Sequence, residues 1–441
     1  MSGLRIVGEL DETFAWDGSH LYHPSELAPD GERPNVLRGA AGAILPGERE
    51  DRWRIIRDPL GLNKLFWVAG ADGEISFAAR PWRLVELGHG LEEITAVPRG
   101  IVLDLDGSEE AEPSTASLVP EAWSAPPSDE MDIGSAGREI RDQLDRYLDA
   151  IAARLRGAPV FVCLSGGIDS SGIAALVADH FPGAVAVSFD LARPGGAASE
   201  DRRVAGRVAR DLGLPLLEVT VTPEELLEPL DTVLREGIDW RDFNVHAALV
   251  NAALARGIAS ATEPTEAMPL VFTGDLANEF LVDYQPEQYG GETYYSLPRV
   301  PAGTLRSLLV RGLDTCHREV GVFEAWSLAL IQPYAIAVDS YMRMPEAFLD
   351  LPDRKEQLSR AMFGDVMPTY VLTRGKTRAQ VGGPQQEDGT LAACVDRGIT
   401  GTALRRRFAE LHGASDDGSL DRFMRAGHYR AGVPSPLGSH A

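Results

Sequence analysis

Apolar positions follow two regimes along the chain. Up to about residue 103 they come in short β-branched and aromatic runs broken by Gly, Pro and Asp: Trp53–Ile56, Leu65–Val68, Glu74–Ala79 and Ile101–Leu105. Runs of this kind predict strands. Arg57-Asp58-Pro59-Leu60-Gly61 stands between the first two and supplies turn residues, so a strand–turn–strand hairpin is expected there. From about residue 136 helical and strand periods alternate. Ile140, Leu144, Tyr147, Leu148, Ile151 and Leu155 share one face of a helix predicted over Arg138–Leu155. Strands are then predicted at Val160–Leu164, Ala184–Phe189, Pro215–Val221 and Pro269–Thr273. Helices are predicted at Ser170–Asp179, from an N-cap at Ser199 to about Leu212, at Pro223–Arg235 and at Asn244–Arg256. The remainder, to about Arg430, reads as mainly helical.

Residues 106–135 carry Pro, Ser and acidic residues without periodicity and read as a linker. The division is therefore a β-rich domain over 1–105, a linker over 106–135 and a second domain over 136–441. Strands alternating with helices imply an α/β fold whose mostly parallel sheet is flanked by helices. Ligands of such sheets sit at the carboxyl ends of the strands, so Leu164–Ser170, Ser188–Asp190 and Gly274–Asn278 are expected to meet.

Length agrees with two domains, since 441 residues exceed one ordinary core. Hydrophobic residues make up 44% of the chain, which excludes a disordered class. Acidic residues outnumber basic ones, 66 to 42, for a net charge of -24, which argues against nucleic acid as the main partner. Cys163, Cys316 and Cys394 are too scattered for a disulfide framework or a zinc cluster. The most apolar late stretch, Gly321–Val338, is interrupted by Glu324, Gln332 and Pro333 and is a poor membrane span. No signal peptide is visible at MSGLRIVGEL, and a soluble cytoplasmic protein is expected.

The chemistry concentrates in Pro159–Ser171, PVFVCLSGGIDSS. A buried strand stops at Ser165-Gly166-Gly167, where adjacent glycines bring bare N–H groups close to a ligand, and a helix begins. Uncapped N–H groups and the positive end of the helix dipole favour phosphate. A carboxylate at Asp169 is unfavourable beside phosphates alone and makes sense with a divalent cation between them. No lysine follows the glycines, so this is not a GxxxxGK[ST] loop.

The stretch resembles the PP-loop of ATP pyrophosphatases. Its SGGxDSS form is similar to class B asparagine synthetases and the related beta-lactam synthetases. On that resemblance Leu164, Ser165, Gly166, Gly167, Asp169, Ser170, Ser188 and Gly274 bind ATP, with Mg2+ as the accompanying ion. Thr273–Tyr284, TGDLANEFLVDY, resembles the second acidic segment of the family. It places Asp275 toward the acceptor and Asn278 where the family has a magnesium-binding aspartate. An amide brings no charge, so the ion rests on Asp169 with water and phosphates, or Asp275 helps. Both residues also suit loop positions capping the next helix. Asp353–Gly383 resembles the family's K-x-x-L-R … V-x-x-R-x-K element and implies that Lys376 serves the phosphates and the acyl-transfer transition state. The following glycines in Gly375–Gly389 fit the mobile loop of beta-lactam synthetases. Glu324 falls near the glutamate of their Tyr–Glu base pair, although the tyrosine's own position is Asp275; a plain surface-helix residue is the other reading.

Arg57–Phe66, RDPLGLNKLF, and Pro98-Arg99-Gly100 resemble elements of the family's Ntn-type glutaminase domain. That domain needs a cysteine directly after the initiator Met, and here the position is Ser2. A hydroxyl does not replace a thiolate, so residues 1–105 read as a degenerate, Ntn-hydrolase-like domain packed against the synthetase domain. The resemblance implies an AMP-forming ligase that adenylates a carboxylate and couples it to an amine, as an amide, lactam or macrolactam, in specialised biosynthesis. Its partners are a small-molecule or peptide carboxylate and amine, with neither nucleic acid nor membrane. An ammonia-dependent asparagine synthetase and a non-catalytic nucleotide-binding protein remain alternatives.

Overall fold

The computed structural model describes residues 4–11, 13–30, 34, 36–49, 52–70, 74–106, 114–118, 132–192, 196, 198–263, 266–312, 318–374 and 389–427. Ser2, Cys316, Lys376 and nearly all of the expected mobile loop lie outside these residues.

The second domain is built on a five-stranded parallel sheet: β1 (Val160–Cys163), β2 (Val185–Leu191), β3 (Leu216–Val221), β4 (Leu270–Phe272) and β5 (Ala329–Ile331). Their spatial order is β3-β2-β1-β4-β5. Phe161 pairs with Val185 on one side and Val271 on the other. The order runs outward from β1 in both directions, so the central strand is the one that feeds the glycine turn. The helices that matter to the site are α1 (Ile133–Arg154), α2 (Ile168–His180), α3 (Glu200–Asp211), α4 (Asp242–Ala261), α5 (Ala277–Leu281), α6 (Arg318–Glu324) and α7 (Arg354–Phe363).

Period-2 alternation in the strands produces three layers. Val162, Ala186, Phe272 and Ile331 face one core with α1 and α2, through Ile140, Leu144, Leu148, Ile173 and Val177. Phe161, Val187, Val271 and Leu330 face the other, against Val245, Leu249, Ala252 and Ile258 of α4. Buried on both faces, the strands read as continuous apolar runs. α4 is buried nearly all round, and its alanines let neighbours approach closely.

The first domain contains two four-stranded sheets. Trp67, Phe77 and Ile75 of one sheet meet Ile44, Ile55, Leu103 and Leu105 of the other, so the sheets stack as a sandwich. The first sheet's opposite face carries Phe66, Val68, Ala78 and Ala96 into the core of the second domain, where Phe66 stacks on Phe423 at 5.9 Å between ring centroids. Ion pairs reinforce the junction: Arg80 with Asp11 and Glu236, and Arg38 with Asp339.

Two sequence expectations change here. Arg52–Arg57 and Phe66–Ala69 do not pair as a hairpin but belong to different sheets. The RDPLGLNKL segment is instead a buried crossing between them. Arg57 is fully buried and donates to the carbonyls of Asn63, Gly61 and Val97, while Asp58 accepts from the N–H groups of Leu62 (2.9 Å) and Asn63 (3.1 Å). Polar side chains thus satisfy a backbone that no ladder satisfies. Burial pushes the Asp58 carboxyl up to about 6 against those hydrogen bonds and the Arg57 charge. The expected linker also contributes structure: Ser114–Ser117 pairs antiparallel with Ile101–Asp104 as an edge strand, and α1 starts at Ile133, with the Asp132 carboxylate accepting from Ser135 N–H. No described helix is long and apolar enough to cross a membrane.

Candidate active site

A cleft opens at the carboxyl ends of β1, β2 and β4 and is walled on one side by α4. β1 passes its last ladder bond, Leu164 N–H to Val187 O at 2.8 Å, and the chain turns. The two serines of the motif shape that turn. Ser165 Oγ accepts from Gly167 N–H (3.3 Å) and lies 3.0 Å from Ser170 Oγ, while Ser170 Oγ donates to Gly167 O (3.2 Å). Gly166 has φ +75°, and a Cβ there would sit 2.9 Å from the backbone nitrogen of Ala205. Gly274 is needed for a different reason: a Cβ would lie 2.7 Å from Asp169 C and Ser170 N, so the end of β4 runs hard against the first turn of α2. No side chain caps α2 at Gly167, which leaves its first N–H groups facing the cleft as an anion site.

Leu164, Ser165, Gly167, Asp169, Ser170, Gly274, Asp275 and Asn278 line this one cleft, as the motifs led one to expect. Gly166 shapes the turn from behind, against α3. Asp275 lies beside the end of β1, where burial and the Asp275 carboxylate push the Cys163 thiol far up. Leu276, next to it, holds a left-handed backbone (φ +83°), and so does Val282 at the other end of α5 (φ +54°). Such strained positions concentrate at functional sites. The hydroxyls of Thr273 and Thr390 line the cleft, are buried and have no hydrogen-bond partner among the described residues. They are placed for a polar ligand.

Two expected residues are not in the cleft. Ser188 is in the middle of β2, which continues to Leu191. Alternation turns its buried side chain to the face opposite Val187 and Phe189, which line the cleft. Glu324 ends α6, which leads into the amino end of β5, the opposite edge of the sheet from the cleft. It does not line the cleft.

The site contains residues that the sequence reading missed. Lys355, in the first turn of α7, reaches the cleft, and its ammonium contacts Asp169 Oδ2, Asn278 Oδ1 (2.6 Å) and Asp283 Oδ2 (3.0 Å). Burial alone lowers the Lys355 pKa, but Asp169 and Asp283 raise it above its ordinary value, so it is charged. The only available signal was the lysine of the K-x-x-L-R element, and an early-turn lysine normally reads as solvated. Arg374 donates to Gly166 O (3.2 Å) and pairs with Asp201 of α3, holding the glycine turn from outside. The Tyr284 hydroxyl donates to Glu279, and both line the cleft.

The magnesium expectation rested on Asp169 and Asn278. Both oxygens point at the Lys355 ammonium, and two carboxylates and one amide surround that single positive charge. Mg2+ demands near-octahedral oxygen ligands at about 2.0–2.1 Å. As arranged, the pair does not fit a divalent ion. Among the described residues no three His, Cys, Asp or Glu side chains converge as metal ligands.

A parallel sheet whose central strand delivers a glycine turn and an uncapped helix N-terminus defines an α/β domain with an anion site at the carboxyl ends of its strands. Residues 139–311 match the asparagine synthase family model. Glutamine-hydrolyzing asparagine synthetase of Asparagus officinalis is 23% identical over 367 residues, covering 78% of this chain and 57% of the relative. The chain therefore spans little more than half of that relative's length. Among solved structures, NMN synthetase of Francisella tularensis is 15% identical, with 68% of this chain and 97% of that chain covered and a TM-score of 0.32. Glutamine-dependent NAD+ synthetase of Acinetobacter baumannii, in complex with ADP, is 16% identical, with 76% and 50% covered and a TM-score of 0.31.

Proposed function

We propose that the protein is an ATP-dependent ligase that joins a carboxylate to an amine without hydrolysing glutamine. A substrate carboxylate oxygen attacks the α-phosphorus of ATP, the bond to pyrophosphate breaks, and an acyl-adenylate forms. The amine nitrogen then attacks the acyl carbon, the bond to AMP breaks, and the nitrogen's proton passes to a base. The observation that carries this reading is the uncapped α2 terminus behind Ser165-Gly166-Gly167, opening into a cleft that also holds acidic groups suited to an amine.

The residues divide the work. The glycine turn and helix N-terminus hold the phosphate anion. Lys355 keeps Asp169 from repelling it. Glu279, oriented by the Tyr284 hydroxyl, is the cleft's candidate base, in place of Glu324. Phe243, Ala247, Val250 and Leu254 recur at helical spacing along α4 and offer the substrate an apolar wall. A lactam or macrolactam product in specialised biosynthesis is our reading of a chain with Ser2 where the glutaminase nucleophile belongs.

ATP–pyrophosphate exchange screened over candidate carboxylates tests the proposal. Exchange with an amino-functionalised acid other than aspartate supports it. Exchange with aspartate, and asparagine formation with ammonium, identifies an ammonia-dependent asparagine synthetase. Nucleotide binding with no exchange on any acid defeats the enzyme reading.

A further inference from the structure

The strongest feature outside the phosphate turn is the set of groups around Lys355. Three oxygens from two segments converge on its ammonium: Asp169 from α2, and Asn278 and Asp283 from α5 and the residues just beyond it. An ammonium has three hydrogens and no acceptor, so this set uses its whole donor capacity. The side chains of Lys355, Asp169 and Asp283 are 13%, 18% and 19% exposed, so water screens the cluster little. Ammonium only donates, which fixes the Asn278 carbonyl oxygen toward it.

We infer that Lys355 is a resident cation of this site, filling the place between Asp169, Asn278 and Asp283 that a protein-bound divalent ion would otherwise take. Charge arithmetic agrees. Asp169 and Asp283 bring two negative charges, Asn278 brings none, and one lysine leaves a single negative charge. A divalent ion added to the same oxygens would put three positive charges against two negative ones, with the two cations within repulsion distance. The amide at 278 and the lysine at 355 thus belong together: a neutral ligand keeps the cluster at two negative charges, and the ammonium offsets one of them. Any divalent ion in the reaction then comes in on the nucleotide phosphates instead of waiting on the protein. The lysine also ties α7 to α2 and α5, so the cleft wall is assembled before nucleotide arrives.

This inference concerns the nucleotide-free chain, so its test is separate from that of the proposed ligase activity. Mn2+ is titrated against the full, nucleotide-free chain and bound ion is counted by electron paramagnetic resonance, alongside thermal melting with and without Mn2+. The wild type is expected to show no Asp169-dependent Mn2+ site and no Mn2+ effect on its melting temperature. Lys355→Met, which leaves the carboxylates facing each other, is expected to bind one Mn2+ at least about tenfold more tightly and to regain stability when it is added. An Mn2+ site in the wild type that Asp169→Asn removes overturns the inference, and so does a folded Lys355→Met chain that gains no Mn2+ affinity. If Lys355→Met does not fold, the comparison of wild type with Asp169→Asn decides alone.

Discussion

Lys355 and Asp169 lie 186 residues apart in sequence and touch at the mouth of the cleft, ammonium on carboxylate. The contact joins the first turn of the helix behind the glycine turn to a helix contributed much later in the chain. Removing one partner of a part-buried pair strands the other, which costs up to about 3–5 kcal/mol when nothing replaces it. Here Asp283 remains against Lys355, so the stability loss for Asp169→Ala should fall below that range. Its effect on activity should be larger, more than tenfold in ATP–pyrophosphate exchange, because the ammonium then leans away from the phosphate turn. Chemical denaturation and exchange kinetics on the same variant check both; exchange within tenfold of wild type removes Asp169 from the machinery.

Glu279→Gln should separate the two half-reactions. The amide keeps the contact with Tyr284 but accepts no proton. Adenylate should accumulate while amide formation slows by about a hundredfold, the usual range for a lost general base. Single-turnover quenching that follows adenylate and product separately is the measurement, and equal slowing of both steps would assign Glu279 to binding only.

Lys376→Ala should also act on the second step, for another reason: a single ammonium facing a developing oxyanion is worth about 3 kcal/mol, or about a hundredfold in rate. ATP binding should be unchanged. Wild-type product formation by this variant would make Lys376 an ordinary solvated lysine.

Glutamine should not serve as nitrogen donor, because Ser2 stands where the nucleophilic cysteine is needed. The assay is glutamate release from glutamine above a blank without enzyme, and release that depends on Ser2 would falsify the expectation.

His412 should contribute a loss of stability as the solution is acidified from about pH 6.5 to about pH 4, set against an opposite contribution from Asp58, whose buried carboxyl at about 6 takes up its proton in the folded chain first. His412 is fully buried, stacks on Phe408 and donates through Nδ1 to the Phe408 carbonyl (3.0 Å). Burial brings its pKa down to about 4, against the hydrogen bond to Phe408. At this histidine the unfolded chain binds a proton over that window that the folded chain refuses, so its contribution falls by up to about 1.4 kcal/mol per pH unit. His412→Gln should therefore gain stability relative to wild type as the pH falls, measured by denaturant melts of both across the range.

The strand–turn–helix at the centre was legible because each piece has a local signature: apolar run, paired glycines, then helical spacing from Ile173. The same holds for Ser199, which caps α3 by accepting from Arg202 N–H at 3.1 Å. What escaped depends on tertiary position. Lys355 carries no local sign that two distant carboxylates await it. Glu279 and Tyr284 meet only because α5 is one turn long and ends in a left-handed residue. Ser188 was misplaced by stopping β2 too early, which concealed the side chain's facing. Strand-like sequence on both sides of Asp58 suggested a hairpin, yet pairing is decided by the sandwich and not by the turn. The Ser114–Ser117 edge strand has almost no apolar content, so no period could reveal it.

The Phe66–Phe423 stack has a consequence for how the protein is made. Phe66 leaves the ribosome early and Phe423 near the end of the described chain, yet each covers the other's apolar face. One face of the first domain is therefore completed only after the domain has emerged, although domains commonly fold as units from the amino terminus. Part of its inner sheet stays uncovered until the helix carrying Phe423 has been synthesised, and nascent chains stalled before residue 423 should be captured by chaperones more than released ones.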